Sequence, residues 1–73
     1  MTVTQQQLIL AWFGCLPPKS VDGIRGPQTK AATQKLQGIL GISETGEFDQ
    51  NTEGEALNAM INGWQPTEES FWD

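Results

Sequence analysis

The chain has 73 residues, 37% of them apolar, and a formal net charge of −5. That is enough for one domain with one core, and it leaves no spare volume for a deep catalytic cleft. Histidine is absent and cysteine occurs once, at Cys15, so an intrachain disulfide is excluded. A zinc site would have to be built almost from carboxylates alone, so no metal and no cofactor is expected.

The charge is unevenly spread. All four basic residues, Lys19, Arg25, Lys30 and Lys35, lie before Glu44, and eight of the nine acids lie from Glu44 onward. An acidic chain repels a phosphate backbone, which argues against nucleic acid as a partner. The opening stretch MTVTQQQLILAWFG has no basic residue ahead of its apolar run and is too short to span a bilayer. No export signal and no membrane span are expected.

A first helix is predicted over residues 4–13, capped by Thr4 and free of Pro and Gly until Gly14. Leu8, Ala11, Trp12 and Cys15 follow helical spacing. The run LILAWF is wider than one amphipathic stripe, so its extra face needs a cover from the chain's own tail or from a partner. Cys15 is expected to face the core. The next segment, LPPKSVDGIRGP, is turn chemistry throughout. Gly26-Pro27 then starts a second helix that runs to about Leu40, with Ala32, Leu36, Ile39 and Leu40 as its buried stripe and Gly41 as its stop. After a second loop, Asp49 caps a third helix over about Gln50 to Ile61. Its apolar face is Ala56, Leu57, Met60 and Ile61; Gly54 weakens it unless small size there serves close packing. Gly63 can end it. The remainder, residues 64–73, reads as an acidic tail carrying Trp64, Phe71 and Trp72 beyond a domain of residues 1–63.

Sliding the chain by 23 residues lays Asp22–Thr29, DGIRGPQT, on Thr45–Thr52, TGEFDQNT. Gly23 meets Gly46 and Thr29 meets Thr52. Both segments are loops that open a helix, and in both a threonine stands three residues after the N-cap. From there its hydroxyl can bond back towards the loop and hold the helix start in place.

These residues carry a resemblance. Asp22, Gly23, Gly26, Pro27, Thr29 and Ala32, then Leu36-Gln37, then Thr45, Gly46, Asp49, Thr52 and Leu57 follow the order and spacing of the peptidoglycan-binding-like domains of bacterial and phage cell-wall enzymes. The resemblance covers roughly residues 5–60. Arg25 stands where that pattern commonly has an aromatic or apolar residue, and Leu36 where it commonly has Phe. The resemblance implies an all-α, compact three-helix bundle with two pseudo-repeated loop-helix starts. It implies a binding module for bacterial cell-wall peptidoglycan with no enzymatic activity; so small a free-standing copy suggests a phage or prophage derivation. Action at the wall would then require release or carriage there. In some proteins of similar fold the contact is with protein instead. A second reading is therefore a small acidic module that binds a host protein inside the cell, such as a phage-encoded inhibitor. A third is a free subunit of a lytic enzyme assembled from separate chains.

Candidate chemistry is sparse. Glu44, Glu47, Asp49, Glu53 and Glu55 could in principle supply a glycosidase pair, but Asp49 reads as a cap and Glu53 and Glu55 as exposed helix residues. With no histidine, a nucleophile lacks its usual base. For a polymer of amino sugars and short peptides, the first loop offers Asp22, Arg25 and Gln28. Arg25 can pair with a lactyl or peptide carboxylate through a bidentate fork. Trp64 can stack on a sugar face or close the core, and Trp72 can anchor a partner.

Overall fold

The computed structural model describes residues 1–63. Among these residues the chain forms α1 (Val3–Trp12), a 3-10 turn (Pro18–Ser20), α2 (Pro27–Leu40) and α3 (Gln50–Ile61), with no strand. The all-α three-helix architecture and the bounds expected for α2 and α3 are borne out. The first helix starts earlier than expected. Its cap is Thr2, not Thr4: the Thr2 hydroxyl accepts from the Gln5 N–H at 3.1 Å, and the Gln5 side chain accepts from the Thr2 N–H at 2.8 Å. This reciprocal box satisfies two N–H groups that a Thr4 start would have left to water. The α2 start at Gly26-Pro27, the left-handed Gly41 after α2 (φ 74°) and the Asp49 cap of α3 are all as expected.

The core is formed by Ile9, Leu10, Phe13, Cys15, Leu16, Ala32, Leu36, Phe48 and Ala56. Leu10, Leu16 and Leu36 are fully enclosed, each worth about 1.5–3 kcal/mol of burial. Two stripes differ from the sequence reading. On α1 the buried face is Gln7, Ile9, Leu10 and, just past the helix, Phe13, so Leu8 and Trp12 lie outward, Leu8 with 55% of its surface exposed. The six-residue apolar run left the phase of the helix open, and the interior role of Gln7 decided it. On α3 only Ala56 of the expected face is fully buried; Met60 is packed against the core while Leu57 and Ile61 are exposed. Cys15 does face the core, and burial pushes its thiol up to about 11, with the Lys35 charge acting the other way.

Gly54 is not a close-packing position. A Cβ added there would meet nothing within 4 Å. Gly54→Ala is therefore expected to stabilise the domain by up to about 1 kcal/mol, seen as a higher urea midpoint. A lower midpoint would show that the glycine has a role outside this helix. The acidic aromatic tail expected over 64–73 lies outside the described residues.

Candidate functional site

The two loops that open α2 and α3 are each built around a buried glutamine. Gln7, from α1, turns its amide into the first loop. Its Oε1 accepts from the N–H groups of Asp22 (3.1 Å) and Gly23 (2.8 Å). Its Nε2 shares its two hydrogens among three acceptors, Asp22 Oδ1 (3.1 Å), the Ile24 carbonyl (3.0 Å) and Thr29 Oγ1 (3.0 Å). Gln37, from α2, does the same one loop later. Its Oε1 accepts from the Gly46 N–H (2.9 Å), and its Nε2 shares its two hydrogens among Thr45 Oγ1 (3.1 Å), the Glu47 carbonyl (2.9 Å) and Thr52 Oγ1 (3.0 Å).

The partners correspond residue by residue. Asp22 matches Thr45, Gly23 matches Gly46, Ile24 matches Glu47 and Thr29 matches Thr52, which is the offset of 23 seen in the sequence. Backbone N–H groups on Oε1 and acceptors on Nε2 fix which end of each amide is which. Both corners repeat a smaller device as well: the Ile24 N–H donates to Asp22 Oδ1 (2.9 Å) and the Glu47 N–H to Thr45 Oγ1 (3.2 Å). Gly23 and Gly46 hold φ of 77° and 81°, a left-handed conformation that favours glycine and aims each N–H at the glutamine. No buried side-chain N or O among the described residues lacks a partner. Thr52 thus ties its helix start to its loop as expected, whereas Thr29 reaches its loop only through the Gln7 amide. Thr52 also donates from Oγ1 to the Glu47 carbonyl at 3.5 Å.

Sequence reading missed Gln7. The two glutamines stand 30 residues apart while the loops stand 23 apart, so no single shift aligns both. The available signal was chemical: two similar glycine corners each need an interior acceptor, and Gln7 and Gln37 are the side chains one helix upstream of each.

Of the five expected contact residues, the structure brings Asp22, Arg25 and Gln28 onto the first corner and the start of α2, all exposed. Asp22 uses Oδ1 within the corner, and the Ile24 N–H, then the Gln7 amide, hold its carboxyl below the usual aspartate range. Arg25 spans both corners: Nη1 donates to Gln6 Oε1 (3.3 Å) and Nη2 to the Gly46 carbonyl (3.2 Å). Gln28 lies in the first turn of α2. Trp64 and Trp72 lie outside the described residues.

Asp49 is likewise held low, chiefly by the Thr52 N–H that it caps at 2.9 Å. A carboxyl depressed in the folded state adds stability above its unfolded value, ordinarily 3.8, and loses it as pH falls through the folded value. Stability is therefore expected to be level from neutral pH down to about pH 5 and to fall below pH 4. Asp49→Asn should flatten part of that acid limb in urea titrations. An unchanged limb would show that the Asp49 cap does not contribute to it.

Three short helices joined by two glutamine-locked corners define a class of small all-helical domains that present loops on a fixed frame. The sequence model of the family described as "Putative peptidoglycan binding domain" matches residues 2–54, and the chain belongs to that family. The match spans both corners and both glutamines. No curated protein and no solved structure matches the chain significantly.

Proposed function

We propose that this chain is a non-catalytic module that binds bacterial cell-wall peptidoglycan through the first corner and the start of α2. Arg25 is the principal contact and Gln28 an auxiliary one, while Asp22 shapes the loop between them. Trp64 and Trp72 complete the proposal as platforms for sugar faces. Family membership supports the ligand class, and the placement of Arg25 supports the face. Its guanidinium is exposed yet steadied by Gln6 and Gly46, so a carboxylate would meet a donor set already held in position. The carboxylates of Asp22 and Asp49 are occupied in organising helix starts, which supports binding over catalysis.

Cosedimentation with purified sacculi tests this. The chain is expected to pellet with sacculi at moderate salt, and Arg25→Ala is expected to lower the bound fraction severalfold while circular dichroism shows the helices retained. A chain that stays in the supernatant at every salt concentration would overturn the reading. One observation favours protein as the alternative ligand: Leu8, on α1, keeps 55% of its surface exposed. Under that reading sacculi would not retain the chain, and Leu8→Ser would abolish a stoichiometric protein complex.

A further inference from the structure

We infer that Arg25 and Lys30 together form a subsite for the free carboxylates of the wall's peptide stems. The inference rests on the peptidoglycan reading and names which part of the polymer is recognised. The chain has four basic residues against nine acids, and the fold brings two of the four onto a single glycine of the second corner. Arg25 reaches it through the hydrogen bond from Nη2 to the Gly46 carbonyl. Lys30, one turn into α2, lays its stem over the same residue: a methyl group on Gly46 would come within 2.8 Å of Lys30 Cγ and 3.0 Å of Lys30 Cε. Both side chains are exposed, and neither is ion-paired among the described residues.

The acids nearby in sequence do not neutralise the pair. Asp22 directs Oδ1 to Gln7 and the Ile24 N–H, and Glu47, next to Gly46, makes no ion pair with either cation. A guanidinium carries five N–H donors, and Arg25 spends two on Gln6 and Gly46, which leaves three for an anion. Lys30, its stem over the same glycine, adds a compact point charge. A neutral glycan needs no such pair. Within peptidoglycan the anionic groups are carboxylates; phosphate belongs to polymers attached to it.

Three sacculus preparations separate the sources: untreated, amidated with a carbodiimide and an amine to block carboxylates, and treated with hydrofluoric acid to strip phosphate polymers. Untreated and acid-treated sacculi are expected to bind the full chain equally, and amidated sacculi about tenfold more weakly. Lys30→Gln should give a similar loss on untreated sacculi and none on amidated ones. The Lys30 side chain makes no hydrogen bond among the described residues, so this variant should melt with the parent chain. It is read alongside Arg25→Gln, which also removes a tie between the corners. Equal binding to untreated and amidated sacculi, or no effect of Lys30→Gln, would overturn the subsite and leave the peptidoglycan reading standing. Loss on acid treatment alone would replace carboxylate by phosphate and overturn it too. Absence of binding to all three would overturn both.

Discussion

Gln37→Leu is expected to destabilise the domain by about 3–5 kcal/mol, through unpaired polar groups and not through a cavity. Leucine nearly matches glutamine in volume, so the packing around Leu36 and Ala56 would persist. What is lost is the acceptor for the buried Gly46 N–H and a donor to the Glu47 carbonyl. The hydroxyls of Thr45 and Thr52 lose a partner as well. Each buried group left without a partner costs about 1–3 kcal/mol. The hydroxyls can turn to other acceptors, but the fixed backbone N–H cannot. A domain of this size stands near the low end of the usual 5–15 kcal/mol, so the variant should be substantially unfolded in mild urea. Gln7→Leu should behave alike. Midpoints from urea titrations measure both, and a loss below about 1 kcal/mol would show that water can replace the amide.

The second large effect is expected at Gly46. Gly46→Ala should cost about 2–3 kcal/mol, and Gly23→Ala less, about 1–2 kcal/mol. Both positions have positive φ, so both pay the left-handed strain of an alanine. They differ in what the methyl group meets. At Gly23 it meets only Thr4 Oγ1, at 2.9 Å, and a hydroxyl on an exposed residue can rotate away. At Gly46 it meets Cγ and Cε of Lys30 and, at 3.3 Å, Cγ of Gln34, so the whole lysine stem must move. Equal losses at the two glycines would show that backbone strain alone decides the cost.

Much of this fold was legible because its punctuation is local. Gly26-Pro27, Gly41 and Asp49 act through the backbone within a turn of where they stand, so the bounds of α2 and α3 followed from the sequence alone. Less local features were not legible. Thr2 and Thr4 each have a glutamine three residues on, and they differ in that Gln7 is committed to the first corner while Gln5 closes the reciprocal box with Thr2. The phase of α1 could not be read from LILAWF, because six consecutive apolar residues suit several faces equally. Leu57 and Ile61 had the right spacing, but the core meets that end of α3 on the face of Ala59 and Met60. The site was half visible. The repeat exposed the corners and their threonines, and Arg25 stood out as the basic residue of the first corner. That Arg25 reaches the carbonyl of Gly46 depends on tertiary placement, as does the arrival of Lys30 on the same residue.

Both locked corners pass through α2. It supplies Thr29 to the amide of Gln7 and Gln37 to the loop beyond. The middle helix is thus a shared beam between two joints, and each joint freezes the backbone of a segment that would otherwise sample many shapes. Segments already frozen before contact forfeit little conformational freedom when a polymer settles on them. Attraction from even a few shallow polar contacts is then available for holding the polymer, which lets so small a domain act as an adhesive surface without enclosing anything.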